Sequence, residues 1–159
     1  MKNREWDVLE GLRDAEVLDE EFVAIAEQWL ITARHPQLER PYTELVFAPM
    51  VELVAYLQAS DFQVWICTGG GLDFVRCYAK EVYGIAPENV IGSAGQKAYR
   101  EVDGRGEFIR LPELVEPIND GPGKPVLINR HIGRTPILAV GNSDGDLETL
   151  EDVAPRPAA

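Results

Sequence analysis

Two stretches in the first half of the chain carry apolar residues at helical spacing. Between Phe22 and Ala33 they recur every three or four positions, which predicts a helix that begins at Asp19 and ends before Pro36. Residues 49–60 repeat the pattern and predict a second helix. Its buried face is expected to consist of Met50, Leu53, Val54 and Leu57. The first third of the chain is therefore expected to be helical.

From residue 62 onward the apolar residues no longer recur at helical spacing. Instead, two short apolar runs each lead into a glycine-rich segment. Residues 62–67 are almost wholly apolar and are followed by 68–71, Thr-Gly-Gly-Gly. Residues 136–140 are also apolar and are followed by 141–146, Gly-Asn-Ser-Asp-Gly-Asp. Short apolar runs bounded by glycines are typical of buried parallel strands. We therefore predict two such strands, each followed by a loop.

The residues between these runs predict further alternating elements. A helix is expected over 72–83, with Gly84 as its stop, and a short strand over 90–92. Residues 99–111 predict a hairpin with Asp-Gly-Arg-Gly at its turn, and residues 124–130 predict another helix. Alternating helices and strands are the signature of an α/β fold with a mostly parallel sheet. By contrast, the acidic N-terminal residues before the first helix carry no strong strand signal.

The composition fits one globular domain and restricts its partners. The chain has 159 residues, 45% of them hydrophobic, which is enough for a single core. Its formal net charge of -12 repels phosphate backbones and anionic membranes, so neither nucleic-acid nor membrane binding is expected. Cys67 and Cys77 are too few for a disulfide framework or a four-cysteine zinc site. With no secretory signal and no long apolar stretch in the sequence, we expect a cytoplasmic protein.

The loop at 68–71 is the first candidate for ligand binding, because ligands of α/β sheets lie beyond the carboxyl ends of the strands. Backbone N–H groups at Gly69 and Gly70, the Thr68 hydroxyl and the positive end of the next helix could together bind an anion. The alternative is a tight turn that binds nothing. Both interpretations remain open on this loop alone.

An acidic turn and a lysine supply further candidate chemistry. Asn142, Asp144 and Asp146 offer the oxygen ligands that suit Mg²⁺, although Asp and Asn are also preferred helix N-caps. Lys124 stands at the expected start of a helix, from where its charge could reach a phosphate. Taken by itself, it fits a solvated surface lysine better.

The order of these features resembles the haloacid dehalogenase (HAD) superfamily of phosphatases, in particular its phosphoserine-phosphatase-like members. The matching features are strand-Thr-Gly-Gly, then Lys124, then strand-Gly-Asn-x-Asp-Gly-Asp, and the similarity covers residues 22–150. It implies a Rossmann-like three-layer core, here incomplete, with a mostly parallel sheet and N-terminal helices from a cap-like region. It also implies a Mg²⁺-dependent hydrolase of small phosphomonoesters, with phosphoserine as the first choice.

The resemblance gives each candidate residue a role. The residues expected to contact the phosphoryl group or the rest of the substrate are Thr68, Gly69, Gly70, Asp73, Arg76 and Lys124. The metal is expected at Asn142 and Asp146, and catalysis is expected to involve Thr68, Lys124 and Asp144.

The chain departs from the superfamily at the motif that supplies the nucleophile. That motif is Asp-x-Asp at the end of the central strand, and no such pair precedes Thr68 here. Residues 5–11 lack both the apolar run and the paired spacing. A surviving activity would need another route, in which Asp73, Asp144 or Asp146 orients a metal-bound water or replaces the nucleophile. Such an enzyme is expected to be slow.

The same departure implies an incomplete domain. The resemblance divides the chain into a cap-like helical segment at 1–48, a truncated α/β core at 49–154 and a frayed tail at 155–159. The missing strand would lie between the two that end at Thr68 and Gly141. Its absence would leave unpaired edges, so we expect a homodimer that completes the sheet. The alternatives are a non-catalytic phosphate- or partner-binding fragment, or a site completed by a strand from a separate polypeptide.

Overall fold

The computed structural model describes residues 16–153 of the chain. Its helices and strands, in chain order, are β1 (Val17–Leu18), α1 (Asp19–Thr32), α2 (Ala48–Ala59), β2 (Ile66–Gly71), α3 (Leu72–Tyr83), β3 (Val90–Ser93), β4 (Gly95–Val102), β5 (Arg105–Leu114), α4 (Gly123–Ile132) and α5 (Leu147–Val153). Short 3-10 turns lie at Tyr42–Glu44, Pro87–Asn89 and Asp144–Asp146.

The strands are divided between two small sheets. β1, β5 and β4 form an antiparallel sheet in that order, and β2 and β3 form a parallel pair. The α/β class is therefore confirmed, but between residues 16 and 153 parallel pairing is restricted to β2 and β3. β1 falls in a stretch for which the sequence predicted no strong strand. It is only two residues long, too short for a hydrophobic period to reveal it.

The core is built on both sides of α3. On one side α1 packs against α3, with Phe22, Ala26 and Trp29 buried against the partly buried Phe74 and Cys77. On the other side α3 covers β2 and β3. β3 is buried along its whole length, and its far face packs against α4. The carboxyl ends of β2 and β3 are thereby fixed between α3 and α4.

The elements with local sequence signals are confirmed. α1, α3, β3, the β4–β5 hairpin and α4 all form close to their predicted positions. Gly84 ends α3 in the left-handed conformation with φ 66°, as a C-terminal glycine should. The hairpin turns at Asp103 and Gly104, both of which have positive φ, as this tight turn requires.

The strand predicted over 62–67 lies further along the chain. β2 begins only at Ile66 and continues through the Thr-Gly-Gly-Gly segment that was predicted to be a loop. The cause is its ladder with β3, which extends to Gly71 after a register shift beyond Thr68. Thr68, Gly69 and Gly70, the candidate anion-binding residues, are therefore part of strand β2 and not of a loop that follows it.

The strand predicted over 136–140 is wrong. These residues belong to no helix or strand, and the Ile137 side chain is 82% exposed. A strand needs a neighbour for its backbone N–H and C=O groups, and residues 16–153 place none beside this segment. Among the described residues, β2 also pairs along one edge only, with β3. An apolar run was thus insufficient to form a strand without a pairing partner.

The predicted buried face of α2 is also wrong. No residue of this helix is fully buried, although the four residues predicted for its buried face are partly covered. They form one wall of an open cavity of about 530 Å³, which we call the apolar groove. Its other walls come from β2 and the residues before it, from α4 and from residues 136–140. The main lining side chains are Met50, Leu57, Trp65, Ile128, Ile137 and Leu138.

Within the described part of the chain, no helix has both the length and the apolar character needed to cross a bilayer. The cytoplasmic location stays a prediction, as does the division into a cap-like segment and a core. The predicted tail at 155–159 lies outside the described residues, and so do residues 1–15 of the predicted cap.

Candidate functional site

The carboxyl end of β2 is tied to a distant loop by a buried asparagine. Asn119 is fully buried, and its amide nitrogen donates to the Thr68 carbonyl oxygen at 2.7 Å and to the Ile91 carbonyl oxygen at 3.3 Å. The Asn119 backbone N–H donates to the Ser93 hydroxyl, which in turn donates to the Gly69 carbonyl oxygen at 2.9 Å. These bonds satisfy polar groups that would otherwise be buried without partners. They place residues 119–124 directly beside the Thr-Gly-Gly end of β2.

Lys124 joins this loop to the acidic turn. Its side chain is 6% exposed, and its ammonium forms an ion pair with Asp146 at 2.5 Å. The backbone N–H of Gly121 donates to the Gly145 carbonyl oxygen at 3.2 Å and brings the two segments together. The interpretation of Lys124 as a solvated surface lysine is therefore wrong. A buried cation in the first turn of α4 requires this partner, because an unpaired charge there would be costly.

Asp146 has a second set of partners on its other oxygen. Oδ1 accepts from Lys124, while Oδ2 accepts from the Ser143 hydroxyl at 3.0 Å and from the backbone N–H groups of Ser143 and Asn142. Burial alone would raise the pKa of Asp146, but the bonds from Lys124 and Ser143 outweigh it and lower the pKa to about 2. Ser143 and Asp146 form a capping box. The turn therefore does cap a helix, but the N-cap residue is Ser143, and Asp146 is its capping-box partner.

A glycine allows Asp146 to reach this position. A Cβ placed on Gly141 would overlap the Cβ and carboxyl carbon of Asp146. Because hydrogen bonds hold both oxygens of this carboxylate, Asp146 cannot move away to make room for such a Cβ. The sequence Gly-Asn-Ser-Asp-Gly-Asp therefore needs its first glycine because the chain folds back on itself there.

The metal site predicted at Asn142 and Asp146 does not match the donors as they are arranged. Both carboxylate oxygens of Asp146 are already used, and Asn142 takes part through its backbone N–H. Among residues 16–153, no group of three or more His, Cys, Asp or Glu side chains is placed to hold a metal ion. Asp144 is exposed, and its carboxylate forms no hydrogen bond or ion pair with any residue of the described chain. Mg²⁺ binding here stays a prediction.

The Thr-Gly-Gly segment itself is accessible. Gly69 and Gly70 are exposed, and the half-buried Thr68 hydroxyl accepts a hydrogen bond from the Gly70 backbone N–H at 3.1 Å. On the neighbouring residue, burial raises the pKa of the Cys67 thiol, with a smaller opposing effect from its contact with Asn119. Lys124 and Asp146 also act electrostatically on this thiol, which places their charges close to β2. Cys67 is therefore a neutral thiol at neutral pH and not a ready nucleophile.

Asp73 belongs to a different set of contacts. Its side chain is 9% exposed and lies in the first turn of α3, where it forms ion pairs with Arg110, with Lys97 at 3.2 Å and with Arg76 at 3.8 Å. Burial alone would raise the pKa of Asp73, but the hydrogen bond from Arg110 and the Lys97 charge lower it overall. Asp19 of α1 shares both Lys97 and Arg110. This cluster ties α1, α3 and the hairpin together.

The structure thus separates the predicted site residues into two groups. Thr68, Gly69 and Gly70 meet Lys124 and the acidic turn through the contacts of Asn119, Gly121 and Asp146. Asp73 instead pairs with the hairpin cations Lys97 and Arg110, and Arg76 contacts Asp73 and the carbonyl oxygen of Pro87.

Sequence reasoning missed Lys97 and Arg110, although a signal for them existed. The hairpin turn fixes them as directly opposed residues. Like charges opposite each other destabilise a sheet unless an acid lies between them. The hairpin register therefore predicts a buried carboxylate partner, which is Asp73.

No protein-family model matches the chain, and no curated protein sequence matches it. The resemblance to HAD phosphatases therefore rests on the motifs given above.

Proposed function

We propose that the chain binds small phosphomonoesters, with phosphoserine as the first substrate to test, and hydrolyses them slowly as a truncated HAD-like phosphatase. The observation that carries the proposal is the convergence of three distant segments. These segments are the backbone of Thr68–Gly70, Lys124, and the turn containing Asp144 and Asp146. They meet at the carboxyl end of β2. Lys124 brings a positive charge to this glycine-rich strand end in a chain of net charge -12, where an anionic ligand would compete with Asp146 for it.

Each residue has a specific part in this proposal. The exposed Gly69 presents its backbone N–H group to the phosphoryl oxygens, Gly70 does so once its N–H leaves the Thr68 hydroxyl, and Thr68 adds its hydroxyl proton. Lys124 supplies the positive charge that stabilises the phosphoryl group as it transfers. Asp146 holds Lys124 in place. Asp144 is assigned the role of general base, because its exposed carboxylate forms no hydrogen bond or ion pair with the described residues.

The reaction consistent with these residues is direct attack by water. The water oxygen bonds to phosphorus while the ester P–O bond breaks, and Asp144 takes the proton that the water loses. The leaving alkoxide takes a proton from solvent. Positioning and charge stabilisation supply most of the catalysis in phosphoryl transfer, so a site without a covalent nucleophile can still accelerate hydrolysis.

Phosphate release from phosphoserine and a panel of phosphomonoesters tests the proposal. The proteins to compare are the wild type, Lys124→Ala, Asp144→Asn and, as a matched control, Lys80→Ala, which removes an exposed lysine near the end of α3. Each is measured with Mg²⁺ and with chelator, so that metal dependence is read independently. We expect at least a ~100-fold lower rate for Lys124→Ala and a ~100-fold lower rate for Asp144→Asn, typical losses for a charge-stabilising group and a general base.

The control separates a real site from a contaminant. Lys80→Ala should retain the wild-type rate. If all four proteins release phosphate equally, the activity comes from a contaminating phosphatase and the proposal fails. If none releases phosphate, hydrolysis is excluded for the substrates tested.

A non-catalytic phosphate-binding function is the second candidate. It is favoured by the lack of an activated nucleophile: Cys67 stays protonated, and Asp146 is held on both oxygens. A ligand that binds only the folded state must raise its stability. Inorganic phosphate should therefore raise the Tm of the wild type but not that of Lys124→Ala, without any release of phosphate from esters.

A further inference from the structure

The apolar groove is open on its outer side, and its rim is unusually apolar. Ile137, Val140 and Leu138 are 82%, 57% and 49% exposed, and Phe62, which also lines the groove, is 42% exposed. The backbone of residues 136–140 has no ladder partner among residues 16–153. Contiguous apolar surface next to unpaired backbone is a typical docking surface for another strand.

The charges at the two ends of this segment have opposite signs. Arg134, just before it, is exposed and forms no ion pair with any described residue. Just after it comes the acidic turn, with the exposed Asp144. A second copy of the segment, placed antiparallel, would bring Arg134 of each copy to the acidic turn of the other. Parallel placement would bring like charges together at both ends, which is unfavourable.

We propose that two copies of this chain form a dimer by antiparallel pairing of residues 134–142 about a two-fold axis, each copy covering the groove of the other. This inference does not depend on the proposed phosphatase activity. It gives the predicted homodimer a specific surface, and it commits to a second copy as the occupant because the segment is complementary in charge to itself.

Pro136 restricts the register of this pairing. Proline has no N–H, so it must stand at a position that does not exchange hydrogen bonds with the opposite strand. If Leu138 lies on the two-fold axis as a non-hydrogen-bonded pair, then Pro136 faces Val140 of the partner subunit, also without hydrogen bonds. Ile137 and Ala139 then exchange N–H···O bonds with the other copy.

The same register also brings opposite charges of the two copies together. Arg134 lies opposite Asn142 of the partner subunit, with Asp144 of the partner subunit two residues further on. Diagonal neighbours across an antiparallel pair are within reach of a long side chain such as arginine. One register therefore accounts for the proline, the apolar rim and both charged ends.

Sedimentation velocity of the full chain between ~1 and ~100 μM tests the dimer, a range that resolves a micromolar dissociation constant. The variants are Arg134→Asp, Asp144→Arg, the double swap of both, and Ile137→Asp. Arg105→Asp and Ile31→Asp are matched controls, because they make the same changes at exposed positions on the hairpin and on α1. Far-UV circular dichroism verifies that each variant is folded.

We expect each single charge reversal to raise the dimer dissociation constant at least ~10-fold, since two like-charged contacts replace two favourable ones. Ile137→Asp should leave only monomer, the controls should behave as wild type, and the double swap should restore the dissociation constant to within ~3-fold. The inference is overturned if the wild type is monomeric throughout, if its dimer ignores the substitutions at Arg134, Asp144 and Ile137, or if the double swap fails to rescue.

Discussion

Removing the positive charge of Lys124 while keeping its length gives the sharpest test of how the site is held together. Lys124→Met leaves a side chain of similar reach in the first turn of α4 but takes the partner from Asp146 Oδ1. The carboxylate then remains partly buried with only its bonds from Ser143 and Asn142. We expect a less stable protein with the same secondary structure.

The size of the loss follows from burial. Removing one member of a fully buried ion pair costs roughly 3–5 kcal/mol, because the other charge stays behind unpaired. Here the side chains of Lys124 and Asp146 are 6% and 17% exposed, so the stranded carboxylate can still recruit some water. Since Asp146 also keeps its capping-box donors, we expect a loss of about 2 kcal/mol at neutral pH.

The stability that Asp146 contributes should depend on pH in a direction that can be tested. The pKa of Asp146 is lowered from 3.8 to about 2, so the folded state binds this proton less readily than the unfolded state. Its stabilising contribution is therefore fully present above pH 3.8 and is lost as the pH falls toward about 2. Allowing for partial screening by solvent, that contribution is about 1–2 kcal/mol. Lys124→Met should bring the pKa back toward 3.8 and remove most of this dependence.

Urea unfolding of wild type, Lys124→Met, Asp146→Asn and the double variant, at about pH 6 and again near pH 2.5, measures both effects. Lys80→Met is the matched control and should unfold as wild type. The double-mutant cycle should give a coupling energy of at least about 1 kcal/mol at pH 6 and a smaller one near pH 2.5. A coupling energy near zero, or one independent of pH, would show that the Lys124–Asp146 pair does not hold this site together.

Three further outcomes are expected from the same structure. Asp73→Asn should lower the free energy of unfolding by roughly 2–4 kcal/mol in a urea titration, because Arg110 loses its buried counter-charge; equal stability would contradict the role of that cluster. Gly141→Ala should cost roughly 1–3 kcal/mol in the same assay, since the new methyl group displaces Asp146. Cys77 should react with iodoacetamide far more slowly than a free thiol at pH 8, because burial and the nearby Glu27 charge raise its pKa to about 11; reaction at the free-thiol rate would refute this.

Features governed by neighbours in the chain could be predicted from the sequence. The apolar stripe predicts α1, Gly84 predicts the end of α3, and the Asp-Gly turn predicts the β4–β5 hairpin. Each of these signals depends on residues only a few positions apart. The helix-cap alternative for the acidic turn was also available from residue preferences alone.

Features governed by distant partners could not be predicted in the same way. Residues 136–140 have the composition of a buried strand, but strand formation depends on a ladder partner that periodicity does not reveal. The burial of Lys124 depends on the loop at Asn119 folding against β2, some fifty positions away along the chain. The hairpin register pairs Lys97 with Arg110, but which carboxylate they share depends on the tertiary position of α3, which carries Asp73.

The arrangement around Asp146 explains how one lysine could serve both stability and binding. Lys124 bonds to Oδ1, whereas Oδ2 is held independently by Ser143 and the Asn142 backbone. Asp146 therefore keeps its position if the lysine turns toward a phosphoryl group at Thr68. Because the pKa of Asp146 is about 2, its carboxylate remains charged at any physiological pH and continues to attract the ammonium. A phosphate must then compete with a fixed carboxylate for a single cation, in a chain of net charge -12. Binding at this site is consequently expected to be weak and to depend on ionic strength.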